Sequence, residues 1–200
     1  MAPAPDVQLA WFSTALEELS GFLLSSDVFR PLHPPPPGKT QDLSLGGLLL
    51  AADALSTLPD DLARELRTRT DQALRLWETE RASKAAAIEA KAGAELPHRL
   101  NLWRAYLQDL AEKPNEAAAY ATEVRHRVII ERLQEVLESR SARAEVDRLD
   151  ATLRAWLLPG RFVWEDNLQS SYPPARFWYL YGRLALTPLP SSAKRERGKG

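Results

Sequence analysis

Large apolar residues recur along this chain at alternating spacings of three and four, the period of a helix with one buried face. Leu9, Phe12, Leu16, Leu19 and Leu23 form the first such stripe. Asp6 places a carboxylate where the first turn leaves amides free, so the pattern predicts a helix from about Asp6 to Asp27. Trp11, Ala15 and Phe22 widen the stripe, which predicts packing against more than one neighbour. A second, shorter helix is expected from about Asp42 to Leu58 on Leu45, Leu48, Leu49, Ala52 and Leu55. Gly46 and Gly47 weaken it by roughly 1 kcal/mol each, a cost that close approach of another backbone would explain.

Between these two helices, residues 30–40 contain four consecutive prolines, which supply no amide donors and favour extended polyproline geometry. They predict a stiff connector. Pro59, Asp60 and Asp61 suit the start of a long helix, the acids facing the positive end of its dipole. Leu62, Leu66, Ala73, Leu74 and Trp77 keep its stripe, but Glu78 to Glu95 holds seven alanines, seven charged residues and only Ile88 as a large aliphatic side chain. Residues 78–95 are therefore expected to be an exposed helical arm, about 27 Å long at 1.5 Å per residue.

Pro97 is expected to kink or restart the helix before the stripe of Leu96, Leu100, Trp103, Leu107 and Leu110. Pro114-Asn115 interrupts again. Tyr120, Val124, Val128, Leu133 and Leu137 predict a further helix ending near Glu138, and the phase slips around 139–141. Val146, Leu149, Leu153 and Trp156 predict one more, stopped by Pro159-Gly160. Beyond it the chain changes character: Phe162, Trp164, Tyr172, Phe177, Trp178, Tyr179 and Tyr181 crowd seven aromatics into twenty positions. Arg161 to Trp164 is expected to be briefly extended, Pro174 to Tyr181 a short helix closed by Gly182, and residues 187–200 a disordered basic tail. No strand-period segment of useful length is evident.

The expected fold is all-α: an irregular bundle of about six to seven helices with one long, partly exposed helix and an aromatic-rich C-terminal cap over residues 161–186. Residues 1–186 form a single domain in this reading. Composition agrees, with 44% apolar and 26% charged residues in 200, near the averages for a globular domain. Basic and acidic residues nearly cancel, 26 against 27, so no global field draws the chain to nucleic acid or an acidic membrane. The absence of cysteine excludes disulfides, thiolate metal sites and thiol nucleophiles. The amino terminus lacks the positive charge of a secretory signal, and no apolar run approaches the roughly 18 residues of a membrane span. The expectation is a cytoplasmic protein without nucleic-acid or membrane partners.

Few residues offer chemistry. Gly38-Lys39-Thr40 matches the end of a phosphate-binding loop, but prolines stand where the loop needs amides and no strand precedes it. Two Glu-x-x-His pairs, Glu95 with His98 and Glu123 with His126, have the spacing used in helical di-iron sites. Pro97 interrupts the first, and Arg125 and Arg127 flank the histidine of the second, which opposes a cation and favours a solvent-facing ring. Glu135 and Glu138 with Asp147 and Asp150 are two carboxylate pairs at i, i+3 on either side of the proposed break near residue 140. Brought together, they would suit Mg²⁺. The pattern resembles the all-α nucleotide pyrophosphohydrolases, which pair Glu-x-x-Glu with Glu-x-x-Asp. The resemblance implies Mg²⁺-dependent hydrolysis of a nucleotide phosphate, although the second motif here reads Asp-x-x-Asp and the interval is shorter.

The preferred reading is a helical interaction or structural protein with no cofactor and no catalytic residues. Phe162, Trp164, Tyr172, Phe177, Trp178 and Tyr181 are its candidate contact residues, because large aromatics dominate interface energetics. The partner expected is another protein or a second copy. The alternative is a Mg²⁺-dependent hydrolase built on Glu135, Glu138, Asp147 and Asp150.

Overall fold

The computed structural model describes residues 4–33, 35, 41–59, 62–137 and 142–185. Among these, the chain forms α1 (Pro5–Leu24), α2 (Leu45–Ser56), α3 (Arg64–Ser83), α4 (Ala85–Glu112), α5 (Tyr120–Glu123), α6 (Arg125–Leu137) and α7 (Arg143–Arg154). A two-stranded antiparallel hairpin of β1 (Leu157–Phe162) and β2 (Tyr181–Leu184) closes the fold, with short 3₁₀ turns between. The fold is all-α with this one small sheet. No helix among the described residues is long and apolar enough to cross a membrane.

The stripe on α1 is the core: Leu9, Phe12, Leu16, Leu19 and Leu23 are all buried, joined by Leu48 and Leu55 of α2 and Trp77 of α3. Phe12 and Trp77 meet edge to face at 6.4 Å. Lys91 of α4 closes the C-terminal end of α1, its ammonium donating to the Ser25 and Asp27 carbonyls at 2.8 and 2.9 Å and lying 4.3 Å from the Phe22 ring centroid. It takes the place of the solvent that the end of a helix ordinarily needs. At the near ends of the 30–40 connector, Arg30 and Leu43 exchange backbone hydrogen bonds of 3.0 and 2.7 Å, which draws its two ends together. Residues 34 and 36–40 lie outside the described residues, as do 187–200 of the expected tail.

Three local expectations are corrected. The helix passes through Pro97, whose side chain is exposed, and the interruption falls at Lys84, with φ −116° and ψ 24°. Leu96, Arg99, Leu100 and Trp103, all buried around the proline, hold α4 straight enough to lie along α6, so packing overrides the local preference. The arm is shorter than 78–95: residues 78–90 are largely exposed, but Lys91, Ala92 and Glu95 are buried, because small side chains let α4 settle against its neighbour. In the C-terminal segment, Pro159-Gly160 sits inside β1 rather than merely ending a helix, and the expected helix from Pro174 gives way to a 3₁₀ turn and β2. Gly182 faces Pro159 in the ladder, where a Cβ would stand 2.7 Å from the Leu158 carbonyl oxygen. That close backbone approach replaces the helix-ending role its sequence position suggests.

Candidate functional site

The polar residues that the fold brings together are carried mainly by α4 and α6, which run antiparallel: Arg99 meets His126 while Gly93 lies beside Leu137. Glu95 and Arg99, one helical turn apart, form an ion pair of 2.7 Å with side chains 0% and 4% exposed. Every oxygen of Glu95 is occupied, since Oε2 accepts from the Gly46 amide at 3.0 Å. Arg99 also donates to Ser44 Oγ at 2.8 Å and meets His126 Nδ1 at 3.2 Å. Ser44 is the N-cap of α2 and accepts from the Gly47 amide at 3.0 Å. The cluster is a closed polar bolt joining α2, α4 and α6.

Gly46 explains itself here. A Cβ at this position would stand 2.2 Å from Ile129 Cγ2 and 2.8 Å from Glu95 Oε1. The close neighbours are side chains, not the second backbone that the sequence suggested. His126 is largely buried rather than solvent-facing: burial, then the charges of Arg99 and Arg125, push its pKa down to about 3. Its partner in the Glu-x-x-His pair, Glu123, approaches Nε2 at 3.6 Å. Glu95 and His98 diverge, Glu95 turning inward to Arg99 and His98 outward, edge-on to Phe29 at 6.0 Å.

A second network runs along α6 toward the C-terminal cap. Arg127, 5% exposed, forms a fork with both oxygens of Asp150 at 2.8 and 3.0 Å and a third bond to Glu131 at 2.9 Å. Glu131 also accepts from Arg176 at 2.8 Å. Burial alone would raise the Glu131 pKa, but hydrogen bonds and charge from Arg127 and Arg176 hold it below the usual carboxylate value. Arg176 reaches Glu135 as well, at 2.5 Å. Arg132 pairs with Asp53 at 2.9 Å and Glu135 at 3.1 Å and donates to the Ser171 carbonyl at 3.2 Å. Tyr172 donates to Asp53 at 2.9 Å, and burial raises the Asp53 pKa despite Arg132.

The four carboxylates of the hydrolase reading do not assemble. Glu135 is held by Arg132 and Arg176, Asp150 by Arg127, and Asp147 is exposed, while Glu138 lies outside the described residues. No group of three or more acids and histidines suited to a metal occurs among the described residues. Arginines occupy the carboxylates that a cation would need.

The aromatic candidates divide. Tyr172 and Phe177 are each 1% exposed and stack edge to face at 5.1 Å, so they belong to the core rather than a contact surface. Phe162, Trp164, Trp178 and Tyr181 are half-buried. Tyr181, Phe162 and Trp164 make a continuous row with centroids 5.0 and 6.3 Å apart, while Trp178 carries the Arg154 guanidinium 3.6 Å above its ring. Trp164 donates to the Ala121 carbonyl at 2.7 Å and Tyr181 to the Tyr172 carbonyl at 2.8 Å, which fixes how each ring is presented. The arginine-acid lattice escaped sequence reading, although Glu95/Arg99, Arg127/Glu131 and Arg132/Glu135 have the spacings of helical pairs. What marks them is burial, which spacing alone does not report. Comparison with protein-family models, curated proteins and solved structures finds no match.

Proposed function

We propose that this chain is a helical interaction protein, without catalytic activity of its own, that meets a protein partner through the rim of its C-terminal cap. The observation that carries the reading is the half-buried row Tyr181–Phe162–Trp164, held in register by the hairpin and by the indole and phenol hydrogen bonds. Rigid aromatics that keep part of each ring accessible supply contact area at small entropic cost. The pairing of the potential metal ligands with arginine supports the non-catalytic side of the reading. A cytoplasmic location belongs to the same proposal.

The variant Trp164→Arg/Tyr181→Glu tests it, because it places charge on the rim without touching Tyr172, Phe177 or the arginine lattice. The expected outcome is a monodisperse protein with unchanged circular dichroism that no longer forms the concentration-dependent or partner-dependent complex of the parent chain in sedimentation velocity. Unchanged complex formation would remove the rim from the proposal. Saturable stabilisation by Mg²⁺ in a thermal melt, abolished by Glu135→Gln, would favour the hydrolase instead.

A further inference from the structure

Around the bolt of Glu95 and Arg99, one charge has no counterpart. Arg125 is half-buried, its Nε is fully enclosed without a hydrogen-bond partner, and it forms no ion pair among the described residues. The neighbouring charges do not answer it. Glu95 is spent on Arg99 and the Gly46 amide, and Glu123, with a third of its side chain exposed, turns to His126. Arg99 adds a second guanidinium next to His126, and Phe29 covers it at 4.8 Å. Two arginines and an imidazole are thus gathered where α4 meets the start of α6. Removing a charge from water without a partner is among the costlier arrangements a fold tolerates.

We propose that Arg125, with His126 and Arg99 behind it, is a receptor for a phosphate group. A phosphate brings up to two negative charges and several acceptor oxygens, enough to engage a guanidinium fork and an imidazole N–H at once. A proton taken up by His126 on binding would be favoured, because the incoming anion offsets the repulsion from Arg99 and Arg125 that burial sharpens. The groups facing His126 are Glu95 and Arg99 from α4, Glu123 from α5 and Arg125 beside it on α6. Glu123 competes for the same position from the solvent side. The site is separate from the aromatic rim and stands whether or not the rim binds a partner.

The test uses the full chain, inorganic phosphate and O-phosphoserine, each against chloride at matched ionic strength, with thermal melting and calorimetric titration as readouts. Wild type is expected to show a saturable rise in melting temperature with phosphate. Arg125→Met is expected to weaken binding by about tenfold or more, the loss typical of a charge-assisted hydrogen bond. In chloride it should melt no lower than wild type, since it deletes an unpaired charge. Glu123→Gln, an exposed and mild change, is expected to tighten phosphate binding. Response to O-phosphoserine alone would assign the site to a phosphomonoester, and response to both to the phosphate group as such. The absence of a saturable response to either, wild-type affinity in Arg125→Met, or weaker binding in Glu123→Gln would overturn the proposal.

Discussion

The residues that decide this structure are buried charges with complete sets of partners, and their energetics differ from those of surface pairs. Arg127, 5% exposed, holds Asp150 and Glu131. Arg127→Met leaves both acids facing the cap without a counter-charge and should cost about 3 kcal/mol or more of unfolding free energy in urea titrations. Arg176, with 45% of its side chain exposed, reaches the same Glu131, yet Arg176→Ala should cost less than about 1 kcal/mol because solvent screens the pair. Gly46→Ala should cost about 2 kcal/mol or more, since the new methyl must displace Ile129 and the Glu95 carboxylate together. His126 makes stability pH-dependent. Its folded pKa of about 3 lies below the unfolded value of 6.5, so the contribution is present above 6.5 and is lost as pH falls toward 3. The slope approaches about 1.4 kcal/mol per pH unit for one proton taken up on unfolding. Glu131, held below 4.5, adds to the decline only at lower pH. Between pH 6.5 and 4.5, His126→Gln should flatten the denaturation midpoint against pH.

At the level of elements, the stripes that could be read from sequence are those whose faces are covered along their length. Leu9 to Leu23 on α1 and Leu96 to Leu110 on α4 are buried as the three- and four-residue spacing requires. On α3 the pattern overstates contact: only Thr70 and Trp77 of its twenty residues are buried, and Leu76 is 49% exposed. The hairpin escaped notice because its strands are some twenty residues apart in sequence and carry Pro159, Gly160 and Gly182, residues that ordinarily argue against a strand. Their pairing comes from Leu157, Phe162 and Tyr181 packing on the cap, a long-range cause that no local window contains. Pro97 sits inside α4 with an exposed side chain, so Pro97→Ala restores an amide donor without disturbing the core. It should stabilise the chain by about 1 to 3 kcal/mol, read from thermal or urea unfolding.

Across the whole molecule, the candidate site was legible as residue types and not as arrangement. The sequence offered carboxylates for a metal and aromatics for a partner. Folding places arginines on Glu135 and Asp150, Tyr172 and Phe177 in the core, and Phe162, Trp164, Trp178 and Tyr181 at its edge. The cap is fastened to the bundle by Tyr172 on Asp53, Tyr120 on the Tyr179 carbonyl, Arg132 on the Ser171 carbonyl and Arg176 on Glu131. A surface so anchored presents its rings in one arrangement, which is what a contact face requires. Site-specific photo-crosslinking in the native host tests that claim most directly, with the reactive group placed at Trp164 and, as a control on the exposed part of α4, at Glu89. The account predicts one discrete crosslinked species from position 164, lost in the presence of Tyr181→Glu and absent from position 89. The same products from both positions, or none from 164, would contradict it.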